Sequence, residues 1–188
     1  MTTRRLAASA LALALVLVPV ARGAAQERVE TPEAVTRQFA AAMRAGDWVG
    51  TAELMHPDAL RQFRRMFLPI LAADSTGRFC QRLFAASSMA ELTALSDDQL
   101  FARFFRTLVT SEREMSGMFA GEEIVPIGHV LEGPDVAHVV FRMKIAADGV
   151  TMTKVQAMSL RRVGKTWRVL LSGEFEGLAA AIARRTGP

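Results

Sequence analysis

The second half of the chain decides the fold, and its clearest part is VAHVVFRMKIAADGVTMTKVQAMSLRRVGKTWRVLL, residues 136–171. Apolar and polar side chains alternate along this stretch, which is typical of strands with one buried face. Turn sequences interrupt the alternation at residues 146–149 and 164–165. Together with the segment before it, the stretch predicts four antiparallel strands, over residues 122–131, 136–145, 150–163 and 166–175.

The first half of the chain has the pattern of helices. Thr31 before Pro32 predicts a helix start, and Gly46 predicts its end. Further helices are predicted to begin at Asp47 and Asp58, and capping boxes at residues 88–91 and 96–99 begin two more. A short helix over residues 178–185 closes the chain. Helices followed by strands predict an α+β domain, with the N-terminal helices packed on a four-stranded antiparallel sheet.

The N-terminus has the composition of a secretory signal peptide. Arg4 and Arg5 precede an apolar run over residues 6–21, and small residues continue to Ala25. We predict cleavage before Gln26, so that residues 1–25 are the signal and residues 26–188 form one exported domain, periplasmic or extracellular. A retained membrane anchor is the alternative, but the apolar run is shorter than the roughly 20 residues that a spanning helix needs.

Composition limits the partners of the mature chain. The sequence holds 23 Lys and Arg and 19 Asp and Glu. Arg4, Arg5 and Arg22 lie in the predicted signal, which has no acid, so the mature chain holds 20 basic and 19 acidic residues. This balance gives no basis for nucleic acid binding. Cys80 is the only cysteine, and we expect it to be buried, with pairing between two chains as the alternative.

Turn lengths predict how the strands pair. A two-residue turn at 164–165 pairs Val163 with Thr166, and a four-residue loop in the preceding hairpin pairs Phe141 with Lys154. One sheet face then collects apolar residues and is predicted to lie against the helices. Its apolar members are Ala137, Val139, Phe141, Met143, Ile145, Met152, Met158, Leu160, Trp167, Val169 and Leu171.

Lys154 and Gln156 are the polar exceptions on this apolar face. One interpretation is structural: the stem of Lys154 packs on Phe141, and its ammonium group reaches water at the sheet edge. The other is functional, because ligand pockets are mostly apolar with a few placed polar groups. In that interpretation Lys154, Gln156, Phe141 and Trp167 are the candidate ligand-binding residues.

The histidines give weaker signals. A four-residue loop at 132–135 would place His129 opposite His138 on the outer sheet face. Two histidines could begin a metal site, but the neighbouring Ala157 supplies no third ligand, so we predict no metal and no cofactor. His56, beside Pro57, is interpreted as a helix-end residue rather than a catalytic one. We find no convergent acid and base, and therefore predict no catalytic residue.

Two segments resemble the nuclear transport factor 2-like superfamily. They are TPEAVTRQFAAAMRAGDWVGTAELMHPD, residues 31–58, and VGKTWRVLL, residues 163–171. The resemblance lies in the order of elements and not in a catalytic motif. It implies a bent sheet wrapped on helices around a cone-shaped pocket, and a homodimer formed through the outer sheet face. The superfamily includes enzymes and non-catalytic binders, so the resemblance does not choose a function.

The outer sheet face is predicted to be unusually apolar with a basic rim, a combination that marks interfaces. Its apolar residues are Val125, Ile127, Leu131, Val136, Val140, Val155, Ala157 and Leu170, and its basic residues are Arg142, Lys144, Arg161 and Arg168. We therefore favour an exported, non-catalytic module that binds a small apolar or weakly anionic ligand, or a partner protein, in or around the pocket. The alternative is a pocket enzyme, a hydrolase or an isomerase.

Overall fold

The computed structural model describes residues 30–111, 123–147 and 150–186, and within them the chain forms the predicted α+β domain. The described residues contain seven helices and four strands. The helices are α1 Pro32–Ala45, α2 Trp48–Glu53, α3 Pro57–Ala73, α4 Arg78–Phe84, α5 Met89–Thr93, α6 Asp97–Ser111 and α7 Gly173–Thr186. The predicted signal at residues 1–25 and the predicted strand start at Glu122 lie outside the described residues.

The starts of α1, α2 and α3 follow the capping residues of the sequence with one correction, whereas α4 begins after Gly77 without a side-chain cap. The Thr31 side chain accepts a hydrogen bond from the N–H of Ala34, and Gly46 ends α1 in the left-handed conformation, with φ of 68°. Asp47 caps α2 as predicted. The prediction that Asp58 caps α3 is wrong, because Pro57 already occupies the first helical turn and the cap is therefore His56. A residue before proline favours the extended backbone that a cap needs.

The sheet is an antiparallel meander in the order β1-β2-β3-β4. Its strands are β1 Glu123–Glu132, β2 Val136–Ala147, β3 Val150–Val163 and β4 Thr166–Val169. Residues 54–56 run beside β4, where the N–H of His56 donates to the carbonyl of Val169 at 2.8 Å. This pairing covers the β4 edge, and α1 lies against the sheet by contacting β1, β2 and β4.

The predicted continuation of the last strand to residue 175 is wrong. The strand ends at Val169, and the predicted short C-terminal helix begins earlier, at Gly173. Phe175 therefore lies on α7, where its ring is 6.0 Å from that of Phe63. Packing α7 on α3 buries Ala179 and Ile182, so burial of apolar surface stabilises a helix where the local pattern also allowed a strand.

The core is dominated by phenylalanines from α3 and α6. Phe63, Phe67 and Phe104 are fully buried, and the rings of Phe63 and Phe67 are 4.5 Å apart. Edge-to-face contacts join them to α6, with 5.3 Å between Phe63 and Phe104. Cys80 is buried beside this cluster, as predicted, with its sulfur 3.5 Å from that of Met89.

Strand pairing agrees with the prediction in one hairpin and differs in two. Val163 pairs with Thr166 as expected. Between β2 and β3 the turn spans two residues instead of four, so Phe141 pairs with Gln156 rather than with Lys154. This two-residue shift leaves every side chain on its predicted face. Between β1 and β2 the turn spans three residues, 133–135, and this odd change of length exchanges the faces of residues 128–132 relative to β2. A register shift between Pro126 and Gly128 returns residues 123–126 to their predicted faces, so Val125 stays on the outer side.

Candidate functional site

The inner face of the sheet is buried as the sequence predicted, except close to the turn between β2 and β3. Ala137, Val139, Leu160 and Val169 are buried there. Met152, predicted to be in the core, is 50% exposed. Alternation along a strand determines which face a residue takes, but not how far the covering layer of helices extends. The side chain of Ile145 lies outside those described.

The four candidate ligand-binding residues lie in three different environments. Trp167 is 2% exposed within the main core, and the Arg162 guanidinium lies 4.5 Å from its ring centre. Phe141 is 4% exposed in a separate small cluster with Met143. Gln156 is half-buried opposite Phe141, whereas Lys154 is exposed opposite Met143. The structure therefore brings Gln156 and Phe141 together as neighbours and places Trp167 in another cluster.

An open depression of about 480 Å³ lies between α1, α2 and β4. It is acidic, with three carboxylates and one guanidinium in its lining, and contains none of the four candidate residues. The lining is formed by Glu30, Gln38, Ala42, Asp47, Gly50, Glu53, Leu54, Thr166 and Arg168. The Asp47 carboxylate accepts the N–H of Gly50 as a helix cap, which accounts for one of the acids. Across the described ranges, no group of three His, Cys, Asp or Glu residues is placed to hold a metal ion.

Glu33 and His129 form an acid–base pair that sequence reasoning missed. Glu33 lies in the first turn of α1, and His129 lies on β1 opposite the buried Val139, so both are on the inner side of the sheet. The Glu33 Oε1 and His129 Nδ1 atoms are 2.6 Å apart. Burial is the largest single influence on Glu33 and raises its pKa, but the hydrogen bonds with His129, the backbone and Thr31, together with the charge of His129, outweigh burial, and the pKa lies below its ordinary value. The carboxylate is thus ionised and accepts the Nδ1 proton.

The other ring nitrogen of His129, Nε2, has no hydrogen-bond partner among the described residues. A histidine held by a carboxylate at Nδ1 and open at Nε2 is a general-base arrangement. The prediction of His129 on the outer face, opposite His138, was wrong because it assumed a four-residue turn. Gly133 is the first residue of the observed turn, with φ of 68°, and a glycine there does not distinguish a three-residue turn from a four-residue one.

The other two histidines are engaged in structural contacts. His138 lies on the outer face, with Nδ1 2.9 Å from Ser159 Oγ and Nε2 2.7 Å from Glu132 Oε2. His56 accepts the N–H of Asp58 at Nδ1, and burial, together with Arg161 and Arg61, lowers its pKa despite the opposing charge of Asp58. His56 is therefore a helix-end residue, as predicted.

The outer face of the sheet presents valines to solvent. Val125, Val130 and Val155 are 40%, 63% and 63% exposed. Between them, Gly128, Val140 and Ala157 form a row of small and apolar residues across β1, β2 and β3. Leu131 was predicted on this face, but it pairs with the core residue Ala137 and so belongs to the inner face. Val130 takes its place.

Charged residues lie around and within these valines. Lys144 Nζ lies 2.9 Å from Glu123 Oε2, which neutralises one end of the face. Arg142 stands between Val125 and Val155 in one row, and makes no ion pair within the part of the chain that is described. Arg161 and Arg168 stand opposite each other across β3 and β4. We define the outer patch as Val125, Val130, Val140, Val155 and Ala157 with Arg142.

Fold and site together define an α+β domain with an inner Glu–His pair and an outer apolar patch. Comparison with known proteins gives no further assignment: no family model, no curated protein and no solved structure matches the chain. The resemblance to the nuclear transport factor 2-like superfamily therefore stays a prediction. No helix among the described residues is long and apolar enough to cross a membrane.

Proposed function

We propose that this chain is an exported, non-catalytic binding module that docks a partner protein through the outer patch. The observation that carries the proposal is the exposure of Val125, Val130 and Val155 on one sheet face. Contiguous exposed apolar surface with charged residues beside it is typical of protein interaction sites. Docking would remove this surface from water, which stabilises the complex by about 25 cal/mol for each Å² of apolar area that becomes buried.

The small-ligand form of the binding hypothesis has less support. It depends on Trp167 and Phe141, and both side chains are almost fully covered by protein. Lys154 is exposed, which agrees with the structural interpretation of an ammonium group that reaches water. The partner-protein form requires only surface that is already open.

Site-specific photo-crosslinking in the cells that produce the protein tests the proposal. A photoreactive amino acid at Val155 should give a discrete protein adduct, and the same amino acid at Gln81, exposed on α4, should give none. An adduct of twice the chain mass would identify the predicted homodimer. A folded protein that gives no adduct from either Val155 or Val130 would contradict the proposal.

The Glu33–His129 pair favours one second candidate, the pocket enzyme. In it, the Nε2 atom of His129 would accept a proton from water or from a substrate carbon, and Glu33 would hold the ring and stabilise the imidazolium. Such a base suits a hydrolase or an isomerase, the classes that the sequence left open.

Turnover of p-nitrophenyl acetate by the mature protein tests the hydrolase form of this candidate. His129→Gln and Glu33→Gln should each abolish turnover above the buffer rate, whereas His138→Gln should leave it unchanged. Equal rates for the wild type and His129→Gln would remove His129 as a base for ester hydrolysis.

A further inference from the structure

We propose that the partner of the outer patch presents acidic side chains around an apolar centre. This inference rests on the proposed function and specifies the chemistry of the partner. It follows from the charges on the patch that have no counterpart within the described part of the chain.

Arg142 is the central observation. Its cross-strand neighbours on the outer face are Val125 and Val155, both exposed, so Arg142 lies in the same row as these two valines. A partner that covers these valines must also cover Arg142. Burying an unpaired charge is strongly unfavourable, so a covering surface has to supply an acid at this point.

The acids of the same face are already engaged. Glu123 lies 2.9 Å from Lys144, and Glu132 lies 2.7 Å from His138. Neither of these acids forms an ion pair with Arg142. The face therefore retains unneutralised positive charge.

A second cationic group extends this charge toward β4. Arg161 and Arg168 pair directly across the strands, an arrangement of like charges that destabilises a sheet. The nearest carboxylate to Arg161 is Asp58, at 4.0 Å, and Asp58 also contacts Arg61. Arg168 donates to the carbonyl of Trp167 at 3.1 Å and lines the acidic depression with Glu30, Asp47 and Glu53, so Arg161 is the member of this pair that adds charge to the outer face. Acidic groups on a partner would relieve this repulsion.

These charges indicate which kind of surface is suited to bind the outer patch. A second copy would bring the same surplus of arginines to the contact, which disfavours it by repulsion. A lipid surface is usually engaged through aromatic or long apolar side chains, whereas the apolar residues of the outer patch are valines and an alanine. An acidic protein surface with an apolar centre matches both properties of the patch.

Crosslinking from Val155 in charge variants tests the inference. Arg142→Glu should lower the adduct yield at least tenfold, and Arg142→Lys should preserve most of it, because only the first reverses the charge. Arg37→Glu, an exposed position on α1, is the matched control and should leave the yield unchanged. Thermal unfolding of each variant verifies that the domain is folded. Mass spectrometry of the adduct should place the crosslink next to Asp or Glu residues of the partner.

The outcomes separate the inference from the proposed function. No adduct from Val155 or Val130 in the folded wild type contradicts the proposed function itself. An adduct with another protein whose yield is the same in Arg142→Glu overturns the acidic partner and leaves the binding module standing. An adduct of twice the chain mass, or one with lipid alone, also overturns the acidic partner.

Discussion

At the scale of single residues, the contact between Glu33 and His129 has the clearest electrostatic effect on stability. The two side chains join α1 to β1 across 96 positions of sequence, so the pair fixes how the first helix lies on the edge strand. A carboxylate that accepts a short hydrogen bond from an imidazole stabilises both the fold and the orientation of the ring. Its contribution to stability depends on the ionisation of Glu33.

Glu33→Gln should therefore lower stability in a pH-dependent way. The pKa of Glu33 in the folded protein lies below its ordinary value of 4.5, so its stabilisation is fully present above pH 4.5 and is lost as the pH falls through the folded pKa. We expect a loss of about 0.5–1 kcal/mol at pH 7, small because the pair is near the surface. Urea unfolding between pH 3 and pH 7 measures it.

The matched control for this variant is Glu53→Gln, at an exposed acid on α2, which should change stability little at any pH. A difference between the wild type and Glu33→Gln that stays constant down to pH 3 would contradict the electrostatic origin of the effect.

Lys154 gives a second prediction at this scale. The side chain is exposed opposite Met143, so Lys154→Met should change the free energy of unfolding by about 0.5 kcal/mol or less. Unfolding of the variant at neutral pH would show instead that the ammonium group has an essential contact. If screening finds a small ligand, equal binding to Lys154→Met removes this residue from the ligand site.

At the scale of elements, the end of α4 shows a local conflict between residue and conformation. Ala85 adopts φ of 47°, in the left-handed region that disfavours residues with a Cβ atom. The side chain of Arg103 holds this corner by donating to the carbonyls of Phe84 and Ala85, at 2.6 and 2.9 Å. The tertiary contact maintains a helix end that the sequence alone disfavours.

Ala85→Gly should consequently stabilise the protein, by about 0.5 kcal/mol after the greater freedom of the unfolded chain is taken into account. Ala41→Gly, at an exposed position within α1, is the control and should destabilise by about 0.5–1 kcal/mol. Thermal unfolding of the two variants should move the midpoint in opposite directions, and a lower midpoint for Ala85→Gly would contradict the argument.

At the scale of the whole molecule, the signal peptide remains a prediction, and a mass measurement tests it directly. Exported protein from the producing cells should have the mass of residues 26–188, because the small residues before Gln26 suit a signal peptidase. Intact-mass spectrometry tests this. A mass that retains Arg4 and Arg5 would overturn the cleaved signal, and such a form found in the membrane would favour the anchor instead.

The sequence by itself determined most of the elements and most of the buried face. Caps at Thr31 and Asp47, the alternation through β2 and β3, and the buried phenylalanines of α3 depend on interactions over a few residues, and these were predicted correctly. Such short-range preferences are present in the chain before it folds.

The tertiary structure decided which faces meet. Alternation fixes the side of each residue within a strand, but the turn length fixes one strand relative to the next, and the three-residue turn at 133–135 brought His129 to the inner side. The early start of α7 likewise depends on α3, which offers apolar surface to it. The Glu33–His129 pair exists only because distant segments pack together, and no local pattern encodes that contact. Alternation, by contrast, already assigned Val125, Val140 and Val155 to the outer face.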